Sequence, residues 1–317
     1  MPLIVKPDSH IATCLTRKPF SFRHELAKSS LFEDEQLAGL IETARRAGPE
    51  NYSLGTLDHD GFGAKWQTGV LGDLSGGKLL EAIRNGRLWL QIQNLADIAP
   101  EYFDLAKRAY GDIRAQAPGF SFHNLLSSVL ISSPAARVLC HIDCAEVILF
   151  HIRGRKRVWL YDPESKAGIS DETIEKIILR EEEEEIPYAP EWDREAVVFD
   201  MEPGMAANWP HLWPHRVDNI EGLNVSFQTE FYSSQGLRRY GAIYANGLLR
   251  RRAGLTPRPV STGGLAGLVK SGFGLVAKKC GLHKPAERKI ISRFTVDPAK
   301  PGSINQLDST HSQVLMK

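Results

Sequence analysis

One short motif and one distant residue constrain this chain more than its composition does. Cys140-His141-Ile142-Asp143 leads into the apolar run Ala145-Glu146-Val147-Ile148-Leu149-Phe150-His151-Ile152. Far downstream lies a second histidine, in Trp213-Pro214-His215-Arg216-Val217-Asp218-Asn219. Residues two apart on a strand point to the same side, so His141 and Asp143 can grip one ion together. Two imidazoles and one carboxylate fill one face of an octahedral Fe(II) and leave the other positions open. The third ligand then has to arrive from a different strand of the same barrel, which asks for a closed β architecture. A histidine inside an apolar strand is otherwise a hydrogen-bonded core residue, and His151 is read that way.

The surrounding pattern is that of short strands. After Asp143 come an apolar strand, a tight turn at Arg153-Gly154, and a second strand, Arg155 to Tyr161, ending at Asp162-Pro163. Alternation on that second strand puts Lys156, Val158 and Leu160 on one face, and Arg155, Arg157, Trp159 and Tyr161 on the other. Lys156 therefore shares an inward, apolar face, where a charge asks for a ligand. Further β-branched and aromatic runs at Leu125 to Ser132, Ala196 to Met201 and Leu223 to Phe231 are bounded by Gly, Pro and Asp. Such runs suit a jelly roll.

Helical spacing marks the flanks. Glu33 to Arg46 carries Leu37, Leu40, Ile41 and Ala44 in register and stops near Gly48-Pro49. Lys78 to Arg84 and Pro100 to Gln116 follow, the latter with a stripe of Tyr102, Phe103, Ala106, Ala109 and Tyr110. The chain divides into a mainly helical flank at 1–118, a β core at 119–235 and a second helical region at 236–317. That last region has turns at Gly254, Pro257, Gly263-Gly264 and Pro285, and an ordered tail at 294–302.

The arrangement over residues 120–235 resembles the JmjC-type, cupin-like oxygenases that use Fe(II) and 2-oxoglutarate, in particular the branch with the asparaginyl hydroxylases. Lys18-Pro19-Phe20 and Phe294-Thr295-Val296-Asp297-Pro298 are weaker features of the same kind. The resemblance implies a double-stranded β-helix (cupin) core with helical flanks. It implies iron on His141, Asp143 and His215; His215, between Pro214 and Arg216-Val217, matches the family's distal ligand, and His211 becomes a neighbour. It gives Lys156 the far carboxylate of 2-oxoglutarate, a charge-assisted contact. The implied reaction hydroxylates a C–H bond of a protein side chain, an amino acid or a small metabolite, and releases succinate and carbon dioxide. Two positions depart from the pattern: Val138 stands where a threonine is common, and Val147 where an asparagine is. Thr229 or Gln228, on the last core strand, is then expected to supply the missing polar group, with Thr229 taken as the co-substrate residue. The departures also leave open a non-catalytic, metal-binding cupin-like sensor or regulatory protein.

Composition excludes some partners. With 39 basic and 38 acidic side chains there is no overall pull toward nucleic acid or membrane. No apolar run approaches the roughly 20 residues of a membrane helix. Four cysteines without paired CxxC spacing fit a reducing cytoplasm rather than a disulfide framework. The expected partner is a small molecule or peptide. Charge is nonetheless segregated: residues 171–202 hold thirteen acids and three bases, and residues 236–290 hold twelve bases and one acid. The two stretches are expected to meet, within one chain or across a homodimer built on the C-terminal helices.

Overall fold

The computed structural model describes residues 1–5, 9–59, 63–163, 169–257, 260, 262–284, 289–297, 303–307 and 314–316. Among them the strands are β1 (Phe20–Arg23), β2 (Tyr52–Leu57), β3 (Trp66–Val70), β4 (Trp89–Ile92), β5 (Phe122–Ser132), β6 (Arg137–His141), β7 (Glu146–Leu160), β8 (Val197–Met201), β9 (Met205–Asn208), β10 (His215–Ser233), β11 (Lys289–Ile291), β12 (Phe294–Val296), β13 (Ile304–Gln306) and β14 (Val314–Met316). The helices are α1 (Ser9–Cys14), α2 (Asp34–Ala47), α3 (Gly76–Asn85), α4 (Leu95–Ile98), α5 (Pro100–Gln116), α6 (Asp171–Ile178), α7 (Ser234–Ala253) and α8 (Gly264–Lys279). The turn expected at Pro285 and the tail at 298–302 lie outside the described residues.

Two long antiparallel strands organise everything else. The first half of β7 pairs with the second half of β10, inside a sheet of order β1-β9-β7-β10-β5-β4-β2-β3-β12-β13. The second half of β7 pairs with the first half of β10, flanked by β8 on one side and β6 on the other. Both strands therefore belong to two layers, and the layers face each other as a double-stranded β-helix. Alternation along them sorts the side chains. Ile148, Phe150, Val225, Phe227 and Phe231 point outward to a large core under α2, α3 and α5. Val147, Leu149, Val158, Leu160, Ala207, Trp209 and Val217 fill the space between the layers. Each fully buried aliphatic or aromatic side chain contributes about 1.5–3 kcal/mol.

The expected tight turn at Arg153-Gly154 is not a hairpin. β7 continues through it, and Gly154 marks a bend at φ 79° where the strand passes from one layer to the other. β10 bends opposite it: its register with β7 shifts between Asn219 and Val225, around Gly222 at φ 70°. A turn and a strand bend ask for the same residue, a glycine of positive φ. Only the pairing of both halves with one partner tells them apart.

The helices lie close to their sequence limits, because their caps are local. Gly48 ends α2 at φ 116°, Pro100 opens α5, and Ser75 Oγ accepts a hydrogen bond from Lys78 N at the start of α3. On α5 the buried stripe runs Tyr102, Leu105, Ala106, Ala109, Tyr110 and Ile113; Phe103 lies beside it with Lys107 over its ring. The N-terminal region adds β1 to β4 to the sheet, and the C-terminal region adds β12 and β13, so one sheet runs across residues 118 and 235. These strands are short and interrupted by glycine, which hides them from periodicity. Gly55 lies against the Trp66 ring and Gly69 against Phe294, where a Cβ would stand 2.1 Å and 2.5 Å away.

Gly154 tests the bend. A Cβ there would lie 2.8 Å from Leu223 O, at a φ that L residues adopt at a cost. Gly154→Ala is expected to lower stability by about 1–3 kcal/mol with the urea m-value unchanged. Unchanged stability would show that the two strands do not need this bend.

Candidate metal centre

The first two ligands stand at the tail of a strand and not at the head of one. β6 was not legible in the sequence; it ends at His141, and Asp143 lies in the short link before β7. Ile142, between them, is buried in a separate cluster with Ile177 and Ile178. His141 and Asp143 therefore share the opposite side. β10 begins at His215, the direct cross-strand partner of His141. Strand pairing alone thus brings residues 141 and 215 together.

The resulting geometry is that of a three-donor face. One ligand atom each from His141, Asp143 and His215 lies within 4.8 Å of the others. His141 Nε2 is 3.8 Å from Asp143 Oδ1, and His215 Nε2 is 3.3 Å from Asp143 Oδ2. The other ring nitrogens are held by backbone: Nδ1 of His141 donates to the Leu139 carbonyl at 2.8 Å, and Nδ1 of His215 to the Trp213 carbonyl at 2.9 Å. A carbonyl can only accept, so Nδ1 carries the proton and Nε2 can present its lone pair toward Asp143. Such outer contacts fix the tautomer of a metal-binding histidine.

Electrostatics divide the two imidazoles. Burial, with the neighbouring His215, pushes His141 down to about 4. Burial pulls His215 down as well, but Asp143 beside it more than compensates and leaves it above its ordinary value. Burial would raise Asp143, yet both histidines together hold it low. A carboxylate thus faces two imidazoles on a partly buried surface.

The other histidines are accounted for. His211 is buried and donates from Nε2 to the Cys144 carbonyl at 2.9 Å, apart from the three-donor face. His151 accepts at Nδ1 from Ser226 and donates at Nε2 to Gly154 O, a core residue as expected. Burial drives His211 to about 4 and His151 to about 3.

Lys156 lies on the inner face of β7 with Val158 and Leu160, and is 4% exposed. Its ammonium has no hydrogen bond or ion pair among the described residues, and burial alone pushes it down to about 7. Val138 and Val147 line the same apolar interior. Thr229 does not: it is fully buried on the outward face, where its hydroxyl meets Tyr110 Oη at 2.9 Å and Ile148 O at 3.3 Å. The expectation of a co-substrate role for Thr229 is corrected accordingly, since alternation turns Gln228 and Glu230 inward instead.

Three inward groups were not anticipated. Asn219, the cross-strand partner of Lys156, has a buried Oδ1 without a hydrogen bond among the described residues. Glu230 is bonded to Gln228 at 3.2 Å, and burial and the nearby Asp143 push it up to about 7. Glu184 is raised for the same two reasons. Its signal was misread: the run Glu181 to Glu185 suggested a solvated insertion, but Glu184 O accepts from Ile142 N and Glu185 bridges to His141. The acidic run straps the ligand strand.

The cupin-like domain family matches residues 78–236. No curated protein sequence matches the chain. Solved structures of the Escherichia coli ribosomal oxygenase YcfD are similar. The complex with cobalt and 2-oxoglutarate is 14% identical, with a TM-score of 0.48 over 91% of this chain and 74% of that one. The complex with cobalt and succinic acid is 14% identical, with a TM-score of 0.47 over 91% and 74%. Likeness of that degree assigns no ligand or substrate to this chain.

Two measurements test the centre. His141→Ala, Asp143→Ala and His215→Ala are each expected to remove most bound Fe(II), read by metal analysis, whereas His211→Ala keeps it. The reverse behaviour of His211 and His215 would exchange their roles. The second test concerns Lys156, whose pKa in the folded, ligand-free protein lies below its unfolded value near 10.4. The unfolded chain binds more protons between the two values, so stability is expected to rise with pH from about 7 toward 10. Below that window the buried charge costs its full amount. Lys156→Met should raise the melting temperature at pH 6 and flatten the rise; an unchanged pH profile would mean the ammonium is solvated.

Proposed function

Because the chain belongs to the cupin-like domain family, we propose that it is a non-haem Fe(II) and 2-oxoglutarate-dependent dioxygenase. Its substrate is a C–H bond of a protein side chain, an amino acid or a small metabolite. The observation that carries this reading is Lys156, a buried ammonium without a partner inside the barrel that assembles His141, Asp143 and His215. A desolvated cation in an apolar wall is costly unless an anion meets it. A dicarboxylate that chelates metal at one end and carries a second carboxylate at the other answers that need.

The donor set fits the metal: two neutral imidazole nitrogens and one carboxylate, on one face, suit Fe(II). Bound iron with 2-oxoglutarate and dioxygen supplies the oxidising power for hydroxylation, with succinate and carbon dioxide as co-products. The protein's share is placement and shielding. The Leu139 and Trp213 carbonyls orient the two rings. Val138, Val147, Leu149, Val158 and Val217 keep water from the interior. Lys156 receives the far carboxylate, and Asn219 and Gln228 are the polar groups nearest to hand on β10 for what Val138 and Val147 lack.

The second reading is a metal-binding sensor of a small acid without turnover, favoured by Val138 and Val147. Anaerobic loading with Fe(II) and 2-oxoglutarate, then admission of oxygen, separates the two. Succinate should form slowly without added substrate. Lys156→Ala should keep its iron and bind 2-oxoglutarate roughly a hundredfold more weakly or worse, since breaking a buried charge pair costs about 3–5 kcal/mol. Tight 2-oxoglutarate binding without any succinate would establish the sensor instead. Equal affinity in wild type and Lys156→Ala would remove the co-substrate assignment.

A further inference from the structure

α8 shows opposite faces of opposite character. Its inner face is a seam of small residues, Gly267, Ser271, Gly274 and Ala277, all buried against α7. A Cβ on Gly274 would stand 1.8 Å from Gly241 O, and one on Gly241 2.5 Å from Ser271 O, so the two backbones touch. That contact fixes the direction of α8. The outer face carries Leu265, Leu268, Val269, Phe273 and Val276, exposed by 47% to 79%. Their spacing is that of a helical stripe, which a helix normally buries. Leu255 and Leu282, both exposed, extend the apolar surface at the far end of the hairpin, where Arg252 donates to Leu282 O.

We propose that this stripe is the self-association face of the protein, with two copies pairing α8 against α8 across a two-fold axis near Gly272. Two observations choose a second copy over other occupants. The first is shape. Gly272 lies in the middle of the stripe, and a Cβ there would meet nothing within 4 Å. It leaves a shallow notch beside the projecting Phe273. A two-fold axis at that point sets the ring of each copy against the notch of the other, which is the self-complementarity such an interface needs.

The second is charge. Lys270, Lys278, Lys279 and Lys284 lie on or just after α8, and Glu182 and Glu183 are exposed beside the same hairpin. Glu181 adjoins them, in contact with Arg251 and with His283 at 3.5 Å. An anionic lipid surface would attract the lysines and repel these carboxylates. A second copy offers both signs and matches both. α8, with 16 residues, is about 24 Å long at 1.5 Å per residue. One such helix pair lies at the small end of stable interfaces, so a micromolar dimer is the expectation.

Sedimentation of the full-length protein at tens of micromolar should report twice 35.3 kDa. Val269→Glu with Phe273→Glu should give a monomer with an unchanged melting temperature, because neither side chain is needed by its own fold. In a Cys280→Ser background, Gly272→Cys should form a disulfide-linked dimer under mild oxidation, and the background alone should not. The proposal is overturned by a wild type that stays monomeric at these concentrations, or by a dimer that survives the double glutamate variant. It is equally overturned by a monomer that binds phosphatidylglycerol vesicles through this face. The inference is independent of the metal chemistry, and no outcome depends on turnover.

Discussion

The pairing of β7 with β10 is the interaction on which the rest of the structure depends. It runs from Glu146 opposite Phe231 to Leu160 opposite His215, through a bend that both strands make together. That bend converts one hairpin-like ladder into two facing layers. It also sends β10 to meet β6, which sets His215 against His141. Without the shared bend the second half of each strand would extend the first sheet, and the ligands would have no common interior.

Inside the barrel, polarity is rationed. The walls are aliphatic, and the few polar groups are placed where alternation allows: the ligand triad near the end of β6, Lys156 beyond the bend, Gln228 and Glu230 on β10. In such surroundings each charge is felt strongly, because little water screens it. Asp143 is held ionised by two imidazoles, Glu184 and Glu230 are held up partly by Asp143, and Lys156 has no counter-charge at all. The acids gather near the triad while the lone cation stands beyond the bend. That separation suits an elongated, doubly negative ligand anchored at a metal.

Outside the barrel, segregated charge has a structural use. Arg250 bonds Glu175 at 2.7 Å, with Glu175 almost wholly buried, and Arg251 reaches Glu175 and Glu181. The acidic and basic stretches therefore meet within one chain, where α6 lies on α7. The run after α6 then continues beside His141, so the C-terminal hairpin and the ligand strand are tied through one acidic segment. Exposed pairs of this kind add little stability individually; the buried Glu175 is the member whose loss would leave a charge uncompensated.

Local chemistry determined what was legible beforehand. Caps and periodicity fixed α2, α3 and α5, since a helix end depends on residues a few positions apart. Spacing and residue type picked out His141, Asp143, His215 and the inward side of Lys156, because strand alternation is itself local. Tertiary structure decided the rest. Gly154 is a turn signal in the sequence and a bend in the fold, and only a partner strand distinguishes them. Thr229 and Gln228 are equivalent as sequence; the face that α5 covers buries one under Tyr110 and turns the other inward. Glu184 looks like one acid in a solvated run until its carbonyl is found on Ile142. β6 and the short flank strands carry too few residues for periodicity to register, and exist because the sheet offers them an edge. Each of these outcomes depends on a neighbour distant in sequence, and a pattern read along the chain cannot contain that neighbour.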